Sequence, residues 1–216
     1  MTRATQAIID LAALRHNFRR VQDFAPGAKV MPVIKANAYG HGLIQVANTL
    51  APLADAFAVA TLDEGVVLRN AGISLPVTVL QGVSNKEEMR LAQELGLDLV
   101  VHQPEQIILL EQAVNGKRLD IWLKADTGMN RLGVSPEVFV SAYRRLKACE
   151  AVTEIRAMSH FACADDPANP MTERQYQLFR QITAELMLTR SLANSAATMA
   201  WPHTHHEWVR PGIMLY

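Results

Sequence analysis

The sequence predicts an α/β fold, a closed (β/α)8 barrel of the TIM type, with residues 1–216 forming one domain. Three observations carry that prediction. Short apolar, β-branched runs alternate with longer segments whose apolar residues recur every three or four positions, the texture of a parallel sheet with crossover helices. Eight such runs within 216 residues fit a closed barrel better than an open doubly wound sheet. No interdomain linker, low-complexity tract or repeat beyond the strand–helix unit interrupts the alternation.

The elements follow in order. After a short opening strand at Ala7–Ile9, Asp10 is the expected N-cap of an amphipathic helix with a buried stripe of Leu11, Leu14, Phe18 and Val21. That helix suits the gap between the last strand and the first. Eight barrel strands are expected at Val30–Ala36, Ala56–Ala60, Val77–Gln81, Leu97–Val101, Asp120–Lys124, Ile155–His160, Arg190–Asn194 and Trp208–Val209, the last extending toward Tyr216. Helices are expected at Leu43–Leu50, Asp63–Ala71, Lys86–Leu95, Glu105–Val114, Pro136–Cys149 and Thr172–Leu188. The seventh connection, Ser195–Glu207, reads as loop, because Trp201-Pro202 and three histidines break any helical pattern.

Composition narrows the function. Half of the residues are apolar, enough for a sizeable core, and 21 basic side chains balance 21 acidic ones. No Lys/Arg run offers a footprint for nucleic acid or an anionic membrane surface. No apolar stretch nears the roughly 18 residues of a membrane span, and Met1–Gln6 lacks the apolar centre of a signal peptide. Two cysteines, Cys149 and Cys163, make neither a disulfide framework nor a metal pair. The expectation is a cytoplasmic protein with reduced thiols.

In a barrel, chemistry collects where strands end. The first strand ends in VIKANAYGHG, residues 33–42. A lysine after an apolar run is partly desolvated, which favours the neutral amine that Schiff-base chemistry needs, and Tyr39 brings a hydroxyl within reach of an anion. On composition alone, Lys35 could equally snorkel beside an ordinary Gly-rich turn. The fifth strand leads through Lys124, Asp126 and Arg131 to Gly133, which also reads as a surface turn with an Asp126–Arg131 pair. His160, after the sixth strand, could be a hydrogen-bonded core histidine. Asn194 and Ser195, after the seventh, suit a phosphate's close approach or an ordinary polar loop. Arg210, after the eighth, could simply pair with an acid. His203, His205 and His206 lack ligand spacing and read as a solvated loop, so no metal is expected. The cysteines read as core filling or partly exposed thiols.

Together these strings resemble the alanine racemases, pyridoxal-phosphate enzymes with an N-terminal barrel. VIKANAYGHG is similar to their cofactor-lysine signature, KADTGMNRLG to their fifth-strand segment, SHFACAD to their histidine segment, NSAAT to their phosphate serine and RPGIMLY to their eighth-strand segment. The resemblance implies that Lys35 carries pyridoxal 5'-phosphate and that Tyr39, Asn194, Ser195, Gly212 and Ile213 serve its phosphate end. It places His160 on the ring face, Arg210 at the ring nitrogen, and Arg131 by the phenolic oxygen and the substrate carboxylate. Lys124 matches a lysine that some members carry carbamylated. A guanidinium at the ring nitrogen stays protonated and cannot hand over a proton, so the ring is a weaker electron sink.

The resemblance further implies interconversion of L- and D-alanine, with D-alanine feeding peptidoglycan precursors or alanine being catabolised. Complete members add a mostly β second domain, which pairs with the opening strand, and form homodimers in which a partner tyrosine serves the face opposite the lysine. That domain is not expected within these 216 residues, so the chain alone should hold the cofactor weakly and racemise poorly. The alternatives are a stand-alone pyridoxal-phosphate carrier barrel, a cofactor-free lysine aldolase barrel, or a non-catalytic remnant.

Overall fold

A computed structural model describes residues 6–113 and 115–216. Its eight strands are β1 (Lys29–Val30), β2 (Phe57–Val59), β3 (Val77–Val79), β4 (Asp98–Val101), β5 (Leu119–Lys124), β6 (Val152–Met158), β7 (Arg190–Ser191) and β8 (Trp208–Val209). All pair in parallel, in the order β1-β8-β7-β6-β5-β4-β3-β2. The ends of that order meet at one bridge, Val33 to Ala58, where Ile34 N donates to Ala58 O and Ala58 N to Pro32 O, both at 2.9 Å. The predicted barrel is therefore closed.

Two apolar layers hold it. Inside the barrel, Met31, Val33, Ala58, Val100, Met158 and Trp208 pack around Trp122, whose ring meets Trp208 edge-on at 5.9 Å. Outside, the larger core lies between strands and helices and includes Phe18, Leu50, Phe57, Leu99, Phe139 and Phe179, each at most 1% exposed. The first helix, Leu11–Phe24, starts where expected. Asp10 Oδ1 accepts from the amides of Ala12 (2.8 Å) and Ala13 (3.0 Å), and Leu14, Phe18 and Val21 are buried. The helix packs on Leu43–Leu50 and Ser195–Ala200, covering the junction of β8 and β1.

Several expectations need correction. Ala7–Ile9 forms no strand: the closed barrel leaves no free edge, and Ile8 is 84% exposed. The first strand stops at Val30, because Pro32 donates no amide and the chain turns at Lys35. The sixth predicted helix ends at Thr183, since Arg190 Nη2 takes up the carbonyls of Thr183 (3.0 Å) and Leu186 (3.4 Å). The fourth runs over Pro104–Glu111, and Val114 lies outside the described residues, as does the reading of residues 1–5. The seventh strand is only Arg190–Ser191, and its connection is not all loop: Asn194 Oδ1 caps a helix at Ser195–Ala200 by accepting from Ala197 N (3.0 Å). Six residues are too few to show a periodicity. Beyond β8 the chain closes into a 3-10 turn at Ile213–Leu215.

Candidate active site

At the C-terminal mouth of the barrel an open cavity of about 520 Å³ is lined by Lys35, Tyr39, Lys124, Arg131, His160, Asn194, Ser195, Arg210, Gly212 and Ile213, with Asp165 at its exposed edge. Every residue that the family resemblance assigns to cofactor or substrate thus lines one space. Five successive neighbours in the sheet, β1, β8, β7, β6 and β5, deliver them, so parallel pairing of strands far apart in sequence brings them together.

Lys35 sits at the start of an unusual turn. Ala36, Asn37, Ala38 and Tyr39 all have positive φ, between 52° and 55°, one full turn of left-handed helix without a glycine. L-residues resist this by about 1–2 kcal/mol each, so tertiary contacts must hold it. Asn37 Oδ1 accepts from Leu43 N (2.8 Å), and His41 Nδ1 lies 3.1 and 3.0 Å from the carbonyls of Ala38 and Tyr39. The His41 ring stacks on Tyr216 at 4.3 Å. Glu64, from helix Leu62–Asn70, accepts from Ala36 N at 2.6 Å. The turn leaves Lys35 half-buried at the floor of the cavity and Tyr39 across from β8.

Tyr39 and Gly212 are matched closely. A Cβ on Gly212 would lie 2.5 Å from Tyr39 Oη, so any larger residue there would push the Tyr39 ring aside. Ser195 Oγ accepts from Gly212 N (2.9 Å) and Met214 N (3.3 Å), tying the end of β8 to the start of the Ser195–Ala200 helix. Asn194 lines the cavity, but its side-chain oxygen is committed to the helix cap. Burial raises the Tyr39 pKa, so its hydroxyl stays protonated as a donor.

Arg210 is 4% exposed and donates to Ser191 Oγ, to Ser159 O at 2.6 Å and to Leu192 O at 3.4 Å, with His160 Nδ1 at 3.5 Å. Burial without a carboxylate brings its pKa down to about 10. Lys124, 8% exposed, falls to about 8 through burial first and then the charges of Arg210 and Arg131. His160 is held well below the usual imidazole value by burial, then by Arg210, Lys124, Arg131 and Lys35. Its ring is neutral at pH 7. Arg131 stands exposed at the rim, and no Asp126–Arg131 pair forms. Asp126 Oδ1 instead accepts from the amides of Gly128 and Asn130, both at 3.0 Å, shaping the loop. Among the described residues, none of Lys35, Lys124, Arg131 and Arg210 reaches a carboxylate within ion-pair distance.

Two positioning residues escaped the sequence reading. Gln175, fully buried on helix Met171–Thr183, donates to His160 O (2.9 Å) and Thr127 Oγ1 (3.3 Å) and accepts from Ala162 N (2.9 Å). A glutamine in an amphipathic helix carries no signal. Glu64 had one: Thr61-x-x-Glu64 has capping-box spacing, and the box is present.

The histidine trio is not a solvated loop throughout. His203 is exposed and pairs with Glu173 at 3.1 Å, whereas His205 is buried and His206 packs near Tyr176 and Phe179. No group of three or more potential metal ligands occurs among the described residues. Cys149 is buried and Cys163 partly so, both as thiols. No described helix is long and apolar enough to cross a membrane.

Comparison with known proteins agrees with this geometry. The family model "Alanine racemase, N-terminal domain" matches residues 9–216. An alanine racemase of Nitrosococcus oceani is 50% identical over 212 residues, covering 98% of this chain and 59% of the relative, and one of Shewanella woodyi is 45% identical with the same coverage. The crystal structure of the biosynthetic alanine racemase of Pseudomonas aeruginosa superposes with a TM-score of 0.93 at 42% identity, covering 96% of this chain and 58% of that one. The chain thus spans about three-fifths of the length of these relatives. Motifs, barrel and coverage converge: the chain belongs to the alanine racemase family, through its N-terminal domain.

Proposed function

We propose that this chain is the pyridoxal-phosphate-binding barrel of an enzyme that interconverts L- and D-alanine, an isomerase. The observation that carries the reading is the convergence of four cations without carboxylate partners on a cavity floored by Lys35. Such a field suits a ligand with a phosphate, and later a substrate carboxylate. The glycine-tight contact between Gly212 and Tyr39 supplies a cradle that fits the phosphate end.

When bound, pyridoxal phosphate supplies an aldehyde for the amine and a conjugated ring that draws electron density from the substrate Cα. The protein does the rest. Tyr39 Oη, Ser195 Oγ and the amide of Ile213 would hold the phosphate beside Gly212, whose own amide is given to Ser195 Oγ, with Asn194 fixing the helix that presents Ser195. Arg210, anchored by Ser191, Ser159 and Leu192, would serve the ring nitrogen as a donor that keeps its proton, and neutral His160 would lie against the ring. Arg131 pairs its planar fork with the substrate carboxylate. Lys124 lies behind it; with a pKa near 8, its amine is neutral often enough to take up carbon dioxide as a carbamate that would orient Arg131.

Lys35 Nζ removes or returns the Cα proton on one face, that of D-alanine. Racemisation requires a second group on the opposite face. We assign it to a tyrosine of the family's second domain, contributed by a partner copy in a homodimer. Tyr39 is the only tyrosine lining the cavity among the described residues, and its hydroxyl is assigned to the phosphate. The 216-residue chain should therefore bind cofactor but turn over alanine poorly. The product would serve peptidoglycan synthesis or alanine breakdown in the cytoplasm.

The test is absorbance of the chain titrated with pyridoxal phosphate, followed by borohydride and peptide mapping. A new band near the visible edge and a mass tag on Lys35, both lost in Lys35→Ala, are expected. A tag spread over surface lysines, or an unchanged spectrum, refutes the reading.

A further inference from the structure

We propose that Glu64 is a positioning residue for Lys35, acting through the backbone of the left-handed turn. This rests on the reading of Lys35 as the cofactor lysine. Glu64 Oε2 accepts from Ala60 N (2.7 Å) and Thr61 N (3.4 Å), closing the capping box of its own helix. A helix cap needs no more. Oε1 nevertheless accepts from Ala36 N at 2.6 Å, the amide directly after Lys35 and the first of the four residues with positive φ.

The rest of the turn has its own supports, in Asn37 to Leu43 N and in His41 beside the carbonyls of Ala38 and Tyr39. Those contacts fix the Tyr39 end. At the lysine end, Glu64 is the side chain that reaches across from the end of β2, at the closing seam of the barrel, where Val33 and Ala58 form its bridge. Its carboxylate therefore sets the direction in which Lys35 leaves the barrel. An amide there has one acceptor instead of two, so Glu64→Gln must abandon either Ala36 N–H or the helix cap.

The experiment uses the full 216-residue chain and free pyridoxal phosphate at one pH. The rate at which the Lys35 amine condenses with the aldehyde, one water leaving, is followed by absorbance and by borohydride-trapped mass on Lys35. Glu64→Gln should slow it by about tenfold or more, the scale of one lost charge-assisted hydrogen bond. Glu64→Asp, too short to serve both strand ends, should slow it too. Thr61→Ala is the control: it weakens the same cap, where Glu64 N meets Thr61 Oγ1 at 3.5 Å, but leaves Ala36 held. It should attach cofactor within about twofold of wild type while losing thermal stability comparable to that lost by Glu64→Gln. Equal rates in Glu64→Gln and wild type, or slowing in all three variants that simply follows lost stability, would overturn the positioning role. If the wild-type chain never tags Lys35, the functional reading falls first, and this one with it.

Discussion

At the opposite end of the barrel from Lys35, three carboxylates crowd one guanidinium. Arg156 lies 2.7 Å from Asp120 and 3.7 Å from Asp98, and it also bonds Glu154. Asp98 is the worst placed: its side chain is 14% exposed, and burial, followed by the negative charge of Asp120, raises its pKa from 3.8 to about 7 despite Arg156 and Arg69. A carboxyl whose folded pKa is raised favours the fold while protonated. That advantage is complete below pH 3.8 and is lost as the pH rises through 7. The difference between 3.8 and about 7 corresponds to about 4 kcal/mol. Asp98→Asn, which keeps the shape of the protonated acid, should therefore match wild type at pH 4 and exceed it by up to about 4 kcal/mol at pH 8. For a chain of this size that is roughly 8–16 °C in melting temperature. Thermal unfolding followed by circular dichroism at pH 4, 6 and 8 measures it. An equal gain at every pH, or a loss at pH 8, would refute the account of Asp98 as a buried charge short of partners.

Other consequences can be checked alongside. Lys124→Met should stabilise the cofactor-free chain by about 3 kcal/mol at pH 7, because a buried lysine with a pKa near 8 is penalised while charged; melts at rising pH should show the gain shrinking from pH 8 toward 10.5. Gly212→Ala drives a methyl against Tyr39 Oη and should weaken pyridoxal-phosphate binding about tenfold or more in an absorbance titration, with Tyr39→Phe restoring none of the lost hydroxyl donation. Gln175→Leu strands the carbonyl of His160 and the amide of Ala162; a loss of about 1–3 kcal/mol in denaturant unfolding is expected, since the glutamine is buried but both bonds are only part-buried.

What could be read from the sequence was what repeats or reacts. The alternating texture located eight strands because buried parallel strands are short apolar runs, and Asp10 marked a helix start because an exposed carboxylate there has one obvious use. Lys35, Arg131, His160, Ser195 and Arg210 stood out as reactive types at strand ends. The turn after Lys35 was hidden, since Ala, Asn, Ala and Tyr announce nothing left-handed; only contacts from Glu64 and Asn37 keep it so. The Ser195–Ala200 helix was too short to show a period, and Gln175 acts through bonds to loops far away in sequence. The neutral state of His160 was equally out of reach, because the charges that cause it come from three other strands.

The barrel's closure has a mechanical side. The β5 and β6 ladder has five paired positions, whereas the first and second strands share one bridge, at Val33 and Ala58 beside a proline. A cylinder so built should breathe along that stitch sooner than along β5 and β6, with the amides of Ile34 and Ala58 exchanging their hydrogens before those of β5. The reactive amine hangs two residues beyond Val33. Whatever seats itself in the mouth and grips both Lys35 and the far wall would act as a clasp, and its binding should be felt first as slowed exchange at those two amides.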